Sequence, residues 1–204
     1  MQRRHLPLLG AAWALGLGSS ATQAQVELAG IKYAPTATVG NATLQLNGAG
    51  IRYRFVVKVY TAGLYLQGKA STPEAALAMA GPKRVHVVML RDIDATELGK
   101  LFTKGMQDNM PREDFAKIIP GTIKMADVFS AKKRMVPGEG FSVDYVPGIG
   151  TTVLVNGKPA GDPVTEPEFF NALLRIWLGP SPADAQLKDA LLGIAPTSGR
   201  PGRQ

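Results

Sequence analysis

Asn47-Gly48-Ala49-Gly50-Ile51-Arg52, followed by Val59-Tyr60-Thr61-Ala62-Gly63-Leu64-Tyr65-Leu66, is the stretch on which the fold turns. Around it, from Ala42 to Leu66, β-branched and aromatic residues dominate, and such side chains favour a pleated, half-buried surface. The glycine break at Gly48-Ala49-Gly50 predicts two strands joined at a bend or bulge. In the second strand Tyr53, Phe55, Val57 and Val59 alternate with Arg54, Val56, Lys58 and Tyr60, giving one apolar face and one mixed face open to ligand or water. Near Ala62-Gly63 the parity shifts, because Leu64 and Leu66 take over the apolar alternation.

Downstream the signals alternate between helix and strand. Ser71 or Thr72 caps a short helix with Pro73 in its first turn and Gly81 after its end, and Lys83 to Leu90 reads as a strand. Asp94-Ala95-Thr96-Glu97 has capping-box spacing, and Leu98, Leu101, Phe102 and Met106 follow at helical intervals until Pro111. A second helical stretch from about Arg112 to Ala131 is expected to break at Pro120-Gly121. Phe141, Val143 and Tyr145 alternate as a strand, and Asn156-Gly157 predicts a tight hairpin because that pair readily adopts positive φ. Thr165-Glu166-Pro167-Glu168 opens a further helix that buries Phe169, Leu173, Ile176 and Trp177 and stops at Gly179-Pro180. A last helix is expected from Ser181-Pro182 to Leu192. This order argues for an α+β domain, a mainly antiparallel sheet covered on one side by helices.

The ends read differently. Arg3, Arg4 and His5 precede an apolar run from Leu6 to Leu17, and Thr22-Gln23-Ala24 offers small residues for cleavage, so residues 1–24 read as a secretory signal peptide. The run is short and broken by glycines, whereas a spanning helix needs about 20 apolar residues, so no stable membrane insertion is expected. One domain is expected over residues 25–195, with a Pro, Gly and Arg-rich disordered tail at 196–204. A periplasmic or secreted location follows. The chain has no cysteine, which excludes disulfides, thiolate metal sites and a lipid-modified cysteine. The net charge of +7 falls to +5 without Arg3 and Arg4. Its densest cluster, Lys132-Lys133-Arg134, reads as a solvated face, and without aromatic-basic interleaving no nucleic-acid partner is expected.

Most catalytic signatures are missing, including phosphate-binding loops, the dinucleotide fingerprint and the nucleophile elbow. His86 has no histidine or cysteine at ligand spacing and reads as an ordinary sheet residue, so neither metal nor cofactor is expected. Asp92 and Asp94 lie in one strand-to-helix turn, where the second is explained by capping.

The Gly48-Ala49-Gly50-Ile51-Arg52 strand, the Gly63-Leu64-Tyr65-Leu66 strand end and the Phe169 to Gly179 helix before Ser181-Pro182 resemble the chalcone isomerase superfamily, specifically its bacterial exported chalcone isomerase-like proteins. These anchors span Leu44 to Leu192. The resemblance implies an open-faced β-sandwich, helices on a large antiparallel sheet with a ligand cleft between them. It also implies site positions: the family's arginine matches Arg52 and its strand threonine matches Tyr60, with Thr61 supplying a hydroxyl if the register slips by one. The helical tyrosine and the asparagine seven residues on match Phe102 and Asn109. The hydroxyl near the end of the closing helix matches Ile176.

Closing a chalcone to a flavanone puts negative charge on an enone oxygen, and losing one hydrogen-bond donor there typically costs about 10² to 10³ in rate. With Phe102 and Ile176 apolar, binding is favoured over efficient isomerisation: a small amphipathic acid, fatty or aromatic, held by the Arg52 guanidinium fork with its tail between apolar helix faces. Members that bind fatty acids are the precedent. One alternative is an intramolecular lyase or isomerase acting on an enone, with Arg52, Tyr60 or Thr61, and Asn109 around the oxyanion. Another is a non-catalytic cell-envelope scaffold. Oligomeric state is open.

Overall fold

A computed structural model describes residues 25–195; the expected signal segment and tail lie outside the described residues. Strands β1 (Val26–Leu28) and β2 (Ile31–Tyr33) form a small hairpin, and β3 (Thr36–Val39), β4 (Ala42–Arg54) and β5 (Val57–Leu66) follow as a meander. Next come α1 (Pro73–Ala78), β6 (Lys83–Met89), the two-residue β7 (Ile93–Asp94), α2 (Ala95–Gln107), α3 (Arg112–Lys132) and β8 (Arg134–Met135). The chain closes with β9 (Gly140–Val146), β10 (Gly150–Val155), β11 (Lys158–Pro159), α4 (Phe169–Leu178) and α5 (Ala185–Leu191). Seven strands form one antiparallel sheet in the order β11-β10-β9-β6-β5-β4-β3. This is the α+β architecture the sequence implied, a large antiparallel sheet with its helices on one side.

The main core lies between sheet and helices. Tyr60, Ala62, Leu64, Val85, Val87 and Met89 point from the central strands at Phe102, Phe129, Phe169 and Trp177, all buried. Each such side chain taken fully out of water contributes about 1.5–3 kcal/mol. On the other face β1 and β2 cover a smaller cluster in which Tyr33 packs with Leu44, Leu46 and Tyr65. These first strands, runs of three and four residues, are too short to show periodicity in the sequence.

The glycines of β4 have a packing reason. A Cβ on Gly48 would lie 2.1 Å from the Ala190 carbonyl oxygen, and one on Gly50 would lie 2.6 Å from Ala190 Cβ, so α5 rests directly on the bare strand. At the same place the β4–β5 register slips between Leu46 and Gly48. Asn47 at the slip donates from Nδ2 to the carbonyls of Ala70 and Leu191 and accepts from Ala70 N, tying β4 to the loop after β5 and to α5. The glycines thus mark a bulge, while β4 continues through them.

Several expectations need correction. The strand expected to run through Tyr53, Phe55, Val57 and Val59 turns back on itself at Phe55-Val56, with Arg54 paired to Val57. Phe55 takes φ +55° there, so the alternation across the turn was accidental. From Tyr60 to Leu66 the even positions all face the helices, and no parity shift occurs. Helix α3 runs unbroken through the exposed Pro120, despite the backbone donor a proline lacks there, and Gly121 lets Phe169 and Val164 approach closely. Helix α4 begins at Phe169 without a side-chain cap, and α5 begins at Ala185 under Asp184, whose Oδ1 accepts from Gln186 N and Leu187 N, three residues after the expected Ser181. Thr72 capping α1, Asp94 capping α2 and the Asn156-Gly157 turn match the reading.

Candidate functional site

Arg52 and Tyr60 are cross-strand partners on β4 and β5, and both face the helices. In that position they form one end of a cleft of about 220 Å³ walled by α2 and the end of α4. Val59, Ile93, Leu98, Leu101 and Phe102 provide its apolar sides, and Ile176 closes it from α4. Gly105 lets the two helices meet, since a Cβ there would sit 3.1 Å from Ile176 Cγ2. Apolar walls with a few convergent polar groups at one end are the usual make-up of a small-molecule site, although this cleft is below the roughly 300–1,000 Å³ of typical ones.

The polar end is chemically defined. The Arg52 Nε is buried without a hydrogen-bond partner, and among the described residues Arg52 forms no salt bridge. Its guanidinium carbon stands 5.6 Å from the centre of the Tyr60 ring, within cation–π range. Trp177 Nε1 donates to the Tyr60 hydroxyl at 2.9 Å, which leaves the phenolic proton available for a second acceptor. Burial pushes the Tyr60 pKa up to about 12, against the opposing pull of the neighbouring Arg52 charge. Tyr60 is therefore a donor and not a base at neutral pH.

Of the residues singled out from the sequence, Arg52, Tyr60, Phe102 and Ile176 line this cleft together. Thr61 does not. It points to the opposite sheet face, where its Oγ1 accepts from the Tyr33 hydroxyl at 2.8 Å and contacts the Val88 carbonyl at 3.5 Å. A one-residue slip would be needed to bring it round, and alternation of side chains along β5 forbids that while Tyr60 faces in. Asn109 is buried just past the end of α2, off the cleft wall. Its Nδ2 donates to the Gly105 and Ser181 carbonyls and its Oδ1 accepts from Ser181 N, so it braces the segment carrying Ser181, Pro182 and Ala183 along the cleft rim. Phe102 packs edge-on to Phe129 and Trp177 as well as lining the cleft. Trp177, read from the sequence as core, is the polar partner of Tyr60, a role visible only once the strand and helix are side by side.

The remaining candidates lie elsewhere. His86 Nδ1 is 2.8 Å from Ser142 Oγ on the face away from the helices, and burial, with the Arg84 charge, lowers its pKa. Asp92 accepts from Arg134 and Asp94 caps α2. Lys132 pairs with Glu139, so two of the three residues in the basic cluster already have carboxylate partners. Among the described residues no group of three or more histidine, cysteine or carboxylate side chains is placed to hold a metal. A second hollow of about 380 Å³ between α3 and β10, lined by Lys124, Asp127, Thr151 and Asp162, is larger but mixes charges of both signs and has no buried cation. The smaller cleft is the better candidate because it holds the buried, unpartnered Arg52 donor among apolar walls, while the exposed Lys104 and Asp108 on its lining pair with each other.

Residues 25–193 match the model of a family described as chalcone isomerase-like. No curated protein matches the sequence. Among solved structures, the crystal structure of a fatty-acid binding protein from Arabidopsis thaliana superposes with a TM-score of 0.67 at 13% identity, covering 83% of this chain and 96% of that one. At that identity the likeness is one of fold.

Proposed function

The chain belongs to the chalcone isomerase-like family, and from that premise we propose that it binds a small amphipathic acid in the cleft between the β4–β5 hairpin and helices α2 and α4, with Arg52 as polar anchor. The observation that carries this is the buried, unpartnered Arg52 Nε at the end of an apolar chamber. A buried polar group without a partner is costly, and a carboxylate lying along the Nε edge of the guanidinium satisfies it by a forked, charge-assisted pair. Tyr60, its cross-strand partner, brings a second donor to the same cleft. The fatty-acid binding protein that shares the fold supports the ligand class, and the modest volume favours a short acid or one whose chain extends past Leu101.

Thermal-shift titration with a series of fatty and aromatic acids, alongside native mass spectrometry, tests this reading. Wild type is expected to be stabilised and to carry bound acid, and Arg52→Ala to lose both. Absence of any shift across the series in the wild type would overturn the proposal. A second reading, an enone isomerase, is favoured by the paired donors Arg52 and Tyr60, which suit a developing oxyanion. It requires chalcone absorbance to decay faster with wild type than with Arg52→Ala.

Export to the periplasm or beyond is part of the proposal, supported by the basic, apolar and small-residue order of residues 1–24 and by a family match that begins at residue 25. N-terminal sequencing of the protein recovered from a cell-envelope fraction is expected to read from Gln25; an intact Met1 in cytosolic material would refute it.

A further inference from the structure

The tip of the β4–β5 hairpin is the most exposed apolar feature among the described residues: Phe55 is 93% exposed and Val56 91%. Phe55 borders a shallow hollow with Asp184, Ala185 and Gln186 but buries almost nothing there. Phe55 also holds φ +55° at the first position of a two-residue turn, where glycine is the residue that fits without strain. Arg54 and Lys58 flank the tip, both exposed, and neither forms a salt bridge with the described residues. An exposed Val57 adjoins them. Of the other exposed large hydrophobics, Ile149 stands alone and Ile119 and Ile123 lie one turn apart on α3, less exposed and on a helix flank, not at a hairpin tip.

We propose that this tip docks the protein on an anionic lipid surface, with Phe55 and Val56 entering the headgroup and acyl boundary and Arg54 and Lys58 meeting the phosphates. A convex two-residue point offers a protein partner little area to enclose. A deformable bilayer closes around it, and cations beside an apolar insertion suit an anionic leaflet. The net charge, +7 for the whole chain and +5 without Arg3 and Arg4, adds long-range attraction of the same sign. The same hairpin carries Arg52 and Tyr60 in the cleft, so docking would bring the cleft to the lipid, yet it stands whether or not the cleft holds an acid.

Purified protein is sedimented with vesicles of equal phosphatidylglycerol and phosphatidylcholine, and with phosphatidylcholine alone, wild type and variants sharing one N-terminus so that differences read the tip. Wild type is expected to partition more strongly onto the anionic vesicles, and the double variant Phe55→Gly, Val56→Ser to lose about tenfold or more of that partitioning, as burying even one large apolar side chain is worth that much. Because glycine relieves the positive φ, its melting temperature should be equal or higher, which separates lost docking from lost folding. Arg54→Ser with Lys58→Ser should reduce binding to the anionic vesicles only. Arg52→Ala should leave docking unchanged, so that failure of the acid-binding reading and failure of this one are distinguishable. Equal partitioning of wild type and tip variant, no preference for anionic vesicles, or a tip variant that only turns dimers into monomers would each overturn the proposal.

Discussion

Arg52 and Asn109 are both polar residues of the candidate region, and they do opposite work. Arg52 lines the cleft and keeps a buried donor unpaired, so its replacement is expected to change binding more than folding. Arg52→Lys retains the charge but not the fork, and affinity for a carboxylate ligand is expected to fall about tenfold or more by calorimetry, with Arg52→Ala lower still. Asn109 has all its hydrogen bonds within the protein. Asn109→Ala leaves the Ser181 amide and two carbonyls without that partner, so denaturant unfolding should show a loss of about 2–3 kcal/mol. Their difference explains what the sequence could and could not reveal: the resemblance located both residues, but their roles depend on what lies opposite, and Ser181 is 72 residues from Asn109.

At the scale of elements, strands and helices with a local signal were legible and those without one were not. Helix α2 announced itself through Asp94 and a regular apolar stripe, and β10–β11 through Asn156-Gly157. The β4–β5 turn was hidden because Phe55-Val56 carries strand-type residues where a turn normally has glycine or asparagine. Gly48-Ala49-Gly50 was read as a break, although its cause is the approach of α5 from more than a hundred residues away. That contact is directly testable. Gly48→Ala drives a methyl into the Ala190 carbonyl, with no flexible side-chain end to yield, and is expected to destabilise by about 1–3 kcal/mol. Gly68→Ala, whose new Cβ would meet only Met79 Cε at 3.8 Å, should stay within about 0.5 kcal/mol of wild type in the same unfolding assay.

For the whole molecule, the two sheet faces and the domain's edge bury titratable groups of opposite tendency, and folding stability should record them in turn. Lys83 is buried, with its Nζ donating to the Leu77 carbonyl, and desolvation lowers its pKa from 10.5 to about 8. Between those values the unfolded chain binds the proton that the folded chain has released, so stability rises with pH over that window. Tyr60 behaves in the reverse sense. Its folded pKa is raised from 10.0 to about 12, and Tyr33 on the other face is also raised, both chiefly by burial, so their contribution is present below pH 10 and lost as pH climbs beyond it. Urea unfolding at intervals from pH 7.5 to 11 should therefore show stability climbing to a maximum near pH 10 and then falling. Lys83→Met should remove the climb, and Tyr33→Phe should soften the fall. A profile that declines steadily from pH 8 would mean that Lys83 keeps its proton in the fold, its charge held by the Leu77 carbonyl and by Asn171 Oδ1 at 3.4 Å.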